Sequence, residues 1–179
     1  MKTCIVIFGR MNIPHNGHGL LFKKALFLRK QNPEFDIKVF LSTQQNIKNP
    51  LPFDVKVKYI KKLFPEVSDY IQEETCSEIF SIMRVLDEEY DKIILLVGSD
   101  RVHHFTNILN CYNGSHYHYK EIEVLDCGNR SDNTLSGTQM RTYVYSYDYD
   151  NFKNSLPDVS DELKEEFFNV CKGYMRNEL

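Results

Sequence analysis

Cys4-Ile-Val-Ile-Phe8 runs directly into Gly9-Arg-Met-Asn-Ile-Pro-His15-Asn-Gly-His18, and a helical repeat follows over Gly19–Lys30. Five consecutive apolar residues have the length of a strand, and a strand apolar on both sides is one covered on both faces of a sheet. Leu21, Ala25 and Leu28 recur at i, i+4 and i+7, with Lys23, Lys24 and Lys30 at polar positions. That is the pattern of a helix with one buried face. Asp36–Leu41 reads as a second strand. Strand, helix and strand within about forty residues make a βαβ unit, whose two strands must run parallel.

The remaining chain repeats the alternation. A helix is expected to start near Pro52, to bury Phe53, Val57, Ile60 and Phe64, and to stop at Pro65. Asp69–Ile71 suggests a short strand. Thr75-Cys-Ser-Glu78 has the form of a capping box, opening a helix with Ile79, Met83 and Leu86 on one face. Lys92-Ile-Ile-Leu-Leu-Val97 is the clearest central strand, followed by a helix bearing Val102, Phe105 and Leu109. Glu121–Leu125 alternates as a strand with Ile122 and Val124 on one side. Gly137–Tyr145 reads as a short helix, and the last helix carries Leu163, Phe167, Val170 and Tyr174. The expectation is an α/β fold, a doubly wound parallel sheet in one domain over residues 1–179, with a helical C-terminal segment from about 148 to 179. Ligands on such sheets lie at the carboxyl ends of the strands, which directs attention to the residues after Phe8, Leu41, Val97 and Leu125.

Composition narrows the classes. With 179 residues, 42% apolar and 26% charged, the chain matches ordinary globular proteins and not disordered or low-complexity ones. Lys plus Arg number 22 against 25 Asp plus Glu, a net charge of −3. A duplex nucleic-acid partner is therefore not expected, although a local basic pocket is compatible with that balance. No apolar run approaches the ~18 residues of a membrane span, so no membrane partner is expected. The apolar run at the N-terminus is too short for a signal-peptide core. Five cysteines without CxxC spacing read as reduced thiols of an intracellular, cytoplasmic protein.

Two segments carry chemistry. His15-Asn-Gly-His18 lies where a buried strand passes into a helix, and the start of a helix offers unpaired N–H groups and a positive dipole end to phosphate. Gly17 would let the backbone approach phosphates, and both imidazoles can donate to phosphoryl oxygens. At this composition a chance HxGH is expected about once in a hundred such chains. The plain alternative is a loop with two solvated histidines. Ser136-Gly-Thr-Gln-Met-Arg141 follows the last predicted strand. There Ser136 can cap a helix, Gly137 frees amides, Thr138 supplies a hydroxyl and Arg141 lies one turn on, which together form a second phosphate cradle. A Ser-capped helix with a surface arginine is the bland reading.

Other features weigh less. His116 and His118 alternate and could share a face toward a metal, but no third ligand is evident and a solvated loop is the better reading. His103 and His104 belong to a surface or rim. Tyr143, Tyr145, Tyr147 and Tyr149 are expected in core and rim packing. Lys56, Lys58, Lys61 and Lys62 read as a solvated helix face. Lys48 stands apart, in the loop after the second strand and facing the presumed site.

HxGH after the first strand together with SGTxxR near the end resembles the nucleotidyltransferase superfamily, which includes nicotinamide mononucleotide adenylyltransferases and cytidylyltransferases. Leu41-Ser-Thr-Gln-Gln-Asn-Ile-Lys-Asn-Pro-Leu51 is similar to the region after strand two in archaeal-type adenylyltransferases, and Val97-Gly-Ser-Asp-Arg101 to the Gly-x-Asp found after a later strand. The closest overall likeness is to nucleotidyltransferase-like proteins encoded by tailed phages. It is carried by the segments beginning at Gly9, Lys48, Gly98, Tyr112, Ser136 and Phe152, and it spans Phe8 to about Pro157. Many of those phage proteins carry Thr at the position of His15, whereas this chain keeps both histidines, which favours an active enzyme.

The resemblance implies a Rossmann-like sheet and a direct displacement. A phosphate on a second substrate attacks the α-phosphorus of ATP or CTP in line, and pyrophosphate leaves. It assigns catalytic roles to His15, His18, Lys48 and Arg141. It assigns nucleotide binding to Phe8, Gly9, Arg10, Met11, Gly17, Gly98, Asp100, Ser136, Gly137 and Thr138. Mg²⁺ is expected on the triphosphate, held by substrate oxygens and water, with no metal ligands from the chain. An adenylyltransferase with a small phosphorylated acceptor, nicotinamide mononucleotide among the candidates, is the first reading. A cytidylyltransferase acting on a sugar- or alcohol-phosphate is the second. A non-catalytic phage-particle or replication-associated binding protein is the third. Localisation would be the host cytoplasm for a phage-encoded chain, and a homo-oligomer is left open.

Overall fold

The apolar runs become four parallel strands: β1 (Thr3–Gly9), β2 (Asp36–Leu41), β3 (Lys92–Val97) and β4 (Glu121–Asp126). The computed structural model describes residues 1–76, 78–128 and 135–176. The strands lie in the order β2-β1-β3-β4. Chain order therefore reverses between β1 and β3, the switch point at which ligands bind in such sheets.

Helices cover both faces. Alternation sends Ile5, Ile7, Ile37, Val39, Leu41, Ile94 and Leu96 to one face. There they meet α1 (Asn16–Gln31), α2 (Phe53–Leu63), α5 (Gly137–Tyr145), α6 (Tyr149–Asn154) and α7 (Asp161–Arg176). Cys4, Val6, Phe40, Ile93, Leu95, Val97, Ile122 and Val124 point the other way, toward α3 (Ile79–Leu86) and α4 (Val102–Tyr112). Each fully buried aliphatic side chain of these layers stabilises the fold by about 1.5–3 kcal/mol relative to exposure. The C-terminal helices complete the first layer, burying Phe152, Phe167, Phe168, Cys171 and Met175 in the same cluster as Ile7. Asn16 at the start of α1 donates its backbone N–H to Ser155 O (2.9 Å) and its amide to Leu156 O (3.0 Å). The end of α6 thereby braces the segment that carries the histidines.

Five expectations need correction. Helix α1 begins at Asn16 and not Gly19, because His15 caps it. Pro65–Tyr70 is a 3₁₀ helix, with a single β-bridge from Val39 to Ile71 in place of the expected strand. The Thr75–Glu78 capping box does not close α3: its N-cap is Glu78, which makes no side-chain cap, and Ser77 lies outside the described residues. Lys56 belongs to no solvated face, since it is fully buried, while Lys58 and Lys62 are exposed. Among the tyrosines, Tyr145 and Tyr147 are exposed and not packed in the core.

Candidate active site

Strand pairing opens the site. β1 pairs with β2 as far as Gly9↔Leu41, and β3 with β4 as far as Val97↔Asp126. The β1–β3 ladder stops earlier, at Val6↔Leu95. The sheet thus divides at its carboxyl edge, and a cleft of about 400 Å³ fills the division. Phe8, Gly9, Leu95, Leu96 and Val97 form its base.

Helix α1 starts at this cleft with a cap made from the two histidines. His15 Nδ1 accepts the N–H of Gly17 (2.9 Å), and His18 Nδ1 accepts the N–H of His15 (3.1 Å). Two of the orphan donors of the helix start are thereby satisfied reciprocally. A ring whose Nδ1 accepts from an amide carries its proton on Nε2 when neutral. Both imidazoles are therefore set as Nε2–H donors by the helix they cap. The rings lie against each other, 4.0 Å between centroids and tilted by 34°. Gly17 is required by this arrangement: a Cβ there would lie 2.6 Å from His15 Cε1. The glycine makes room for a histidine ring, a different reason from the phosphate approach expected of it.

Helix α5 starts opposite, with an ordinary cap. Ser136 Oγ accepts from Gln139 N (3.2 Å), and Gln139 Oε1 accepts from Ser136 N (3.1 Å). Gly137 lets this helix end press on the β1–α1 loop, where an added Cβ would sit 3.0 Å from Asn12 O and 3.1 Å from Arg141 Nη1. Arg141 donates to Asn12 O (3.2 Å) and to Thr138 Oγ1 (3.1 Å). Burial depresses its pKa from the ordinary value, and repulsion from Arg10 acts in the same direction.

The loop after β2 supplies the third side. Asn46 and Asn49 exchange backbone hydrogen bonds of 3.1 and 2.8 Å, and Asn46 Oδ1 accepts from Lys48 N and Asn49 Nδ2. This tight turn presents Lys48 at the cleft while burying Asn49. Arg101, at the start of α4, closes the remaining side with Phe105 and Ile79.

Ten of the sequence-derived site residues line the cleft: Phe8, Gly9, Arg10, Met11, His18, Lys48, Gly98, Gly137, Thr138 and Arg141. His15, Gly17 and Ser136 stand one layer behind as capping residues. Asp100 is exposed in the 3₁₀ turn Ser99–Arg101 and is absent from the wall, which has Arg101 in its place. Sequence reasoning missed Asn12, Leu21, Asn49 and Arg101. Asn12 has a signal in its position between the strand end and the histidines, and Arg101 is the immediate neighbour of Asp100. Residues 129–134, which lead into the second motif, lie outside the described residues.

The charge pattern is one-sided. Arg10, Lys48, Arg101 and Arg141 line the cleft, and among the described residues no Asp or Glu does. Among the described residues none of the four takes part in an ion pair, although nine such pairs occur elsewhere. Cations kept together without carboxylates repel one another unless an anion joins them, and the cleft also receives two helix N-termini. The arrangement suits a polyanion of several phosphates.

No family model and no curated protein sequence matches the chain. Solved structures do resemble it in fold. A protein assigned as a nicotinate-nucleotide adenylyltransferase from Vibrio parahaemolyticus superposes with a TM-score of 0.60 at 14% identity, over 94% of this chain and 100% of that one. The nicotinic acid mononucleotide adenylyltransferase of Plasmodium falciparum, solved in complex with APC, superposes with a TM-score of 0.65 at 11% identity, over 97% and 98% of the two chains.

Proposed function

We propose that this chain is an adenylyltransferase that moves the AMP moiety of ATP onto the phosphate of a small acceptor, with a pyridine mononucleotide as the first candidate. Four cations and two helix N-termini gathered in one cleft at the sheet's switch point, with no carboxylate among its described lining residues, carry this reading. The shared fold with two adenylyltransferases, one solved with the ATP analogue APC, favours ATP over CTP. An acceptor phosphate oxygen forms the new bond to the α-phosphorus as the bond to the bridging oxygen of pyrophosphate breaks. Pyrophosphate departs with that electron pair. In this mechanism the protein contributes orientation and charge stabilisation. His18 Nε2–H donates to the α-phosphoryl oxygens, whose charge grows in the transition state. The N-terminus of α5, Thr138 and Arg141 hold the β and γ phosphates, and Lys48 and Arg10 neutralise charge from the other side.

Mg²⁺ fits this scheme as part of a Mg²⁺–ATP substrate. Among the described residues the cleft wall offers no carboxylate, and no three His, Cys, Asp or Glu side chains cluster to hold a metal. No helix of the described chain is long and apolar enough to cross a membrane. Cys4, Cys76, Cys111 and Cys171 carry free thiols, which agrees with a cytoplasmic enzyme. The test is pyrophosphate release with ATP and with CTP, each offered against nicotinate and nicotinamide mononucleotides and a set of alcohol- and sugar-phosphates. Turnover with ATP and a mononucleotide is the expected result. Preference for CTP with an alcohol-phosphate would establish the cytidylyl reading, and no turnover with any pair would end the enzymatic one.

A further inference from the structure

Lys56 sits on α2 among Ile60, Leu63 and Val57, and no part of it reaches solvent. Its ammonium donates to Arg10 O at 2.8 Å and, by a shorter bond, to Ser42 O. Among the described residues it has no carboxylate partner. A methionine or leucine would fill the same place with less desolvation, so packing alone does not account for a lysine. The two carbonyls do. Arg10 O belongs to the β1–α1 loop, and Ser42 follows β2 and donates its own N–H to Gly9 O at 2.9 Å. The next residue, Met11, has φ 44, a left-handed conformation rare for a side chain of that size and kept only where surroundings impose it. Asn12 is then clamped to Leu51 by its amide in both directions, at 2.9 and 3.0 Å, and its carbonyl receives Arg141. Every residue from Gly9 to Asn12 except Met11 thus has a bond from the chain beyond it.

We infer that Lys56 is a positioning residue for the phosphate site, joining the Gly9–Asn12 backbone to the loop after β2 so that Arg10, Met11 and Lys48 meet the nucleotide as one rigid wall. This rests on the reading that the cleft binds a nucleoside triphosphate. Lys56→Met retains the bulk and removes the donor, Lys56→Arg retains donors, and Lys58→Met on the exposed side of α2 is the control. The readouts are thermal melts, ATP KM and kcat, and the hydrogen-exchange rate of the Ser42 amide. Losing hydrogen bonds from a charged group should raise the ATP KM of Lys56→Met about tenfold and speed Ser42 exchange by a similar factor. The kcat should fall less, Lys56→Arg should recover KM to within about threefold, and Lys58→Met should change nothing. A folded Lys56→Met with wild-type KM and exchange would overturn the inference. If Lys56→Met does not fold, Lys56→Arg decides: folding with a wild-type KM supports positioning, whereas unfolding or a raised KM reduces Lys56 to packing. Should the wild type fail to bind ATP, the adenylyl reading falls, while Ser42 exchange still decides the brace.

Discussion

The N-termini of α1 and α5 face one cleft and are closed by the same reciprocal geometry, yet the closing side chains differ. At α5, Ser136 and Gln139 make the cap, and neither lines the cleft, so Thr138 and Arg141 are left to meet a ligand. At α1 the cap is His15 and His18, and His18 is itself part of the cleft wall. One helix keeps its capping residues apart from those that line the cleft, and the other caps itself with a residue that also lines the cleft. Substitutions at α1 should therefore lose stability and activity together, and substitutions at α5 should lose them separately.

The largest effect expected is at His18. His18→Ala removes a donor to growing charge and should lower kcat by about 10²–10³. It also removes half a cap, so melts should register a loss of about 1 kcal/mol. Steady-state kinetics and melts check both, and a kcat within threefold of wild type under chemistry-limited turnover would break the comparison at its strongest point.

The loop beside α1 leans on a fully buried cation from α2, whereas the Arg141 guanidinium that α5 sends to the same loop is only partly buried. Burial lowers the Lys56 pKa from 10.5 to about 8. Below pH 8 both folded and unfolded chains hold the proton, and the folded state bears the burial penalty. Between pH 8 and 10.5 the unfolded chain alone keeps it, so stability rises with pH. Measured as the difference between wild type and Lys56→Met, stability should grow by up to about 3 kcal/mol across that window. A flat difference would show that the native ammonium titrates as an exposed lysine does.

Arg141→Met should act on ligand more than on fold. Its charged hydrogen bonds to phosphate are worth about 1.5–3 kcal/mol, an increase in ATP KM of about tenfold or more. A lowered melting temperature with unaltered KM would place Arg141 with the scaffold. The smallest effects separate the two caps. Gly17→Ala should destabilise by about 1–3 kcal/mol through the clash with His15 and should also depress kcat. Ser136→Ala should cost about 1 kcal/mol with kcat retained. Equal loss of activity in both would erase the distinction between the helices.

Much of the frame was legible because it rests on uninterrupted apolar runs. β1, β2 and β3 read directly from Cys4–Phe8, Asp36–Leu41 and Lys92–Val97, and their parallel order followed from the intervening helices. What eluded sequence reasoning lies where tertiary contacts override local preference. Histidine is no usual N-cap, so the sequence pattern puts the start of α1 three residues late. Lys56 stands four residues before Ile60 and seven before Leu63, on their stripe, but a lysine beside three others reads as solvent-facing until the carbonyls it serves are seen. Thr75–Glu78 has the letters of a cap without closing α3. Asp100 and Arg101 are adjacent in a turn whose direction no periodicity specifies, and the arginine is the one in the wall.

Which nitrogen of each ring carries the proton decides whether one side chain can both cap α1 and donate to phosphate. Long-range ¹⁵N–¹H correlation spectra of the imidazoles, recorded at a pH where the rings are neutral and with and without saturating Mg²⁺–ATP, observe this directly. Both His15 and His18 should appear as Nε2–H tautomers with Nδ1 as acceptor, and nucleotide should move the His18 Nε2 and its proton while leaving Nδ1 an acceptor. An Nδ1–H tautomer in either ring, or a His18 signal unmoved by nucleotide, would contradict the claim that α1 is capped by the same side chains that meet the phosphate.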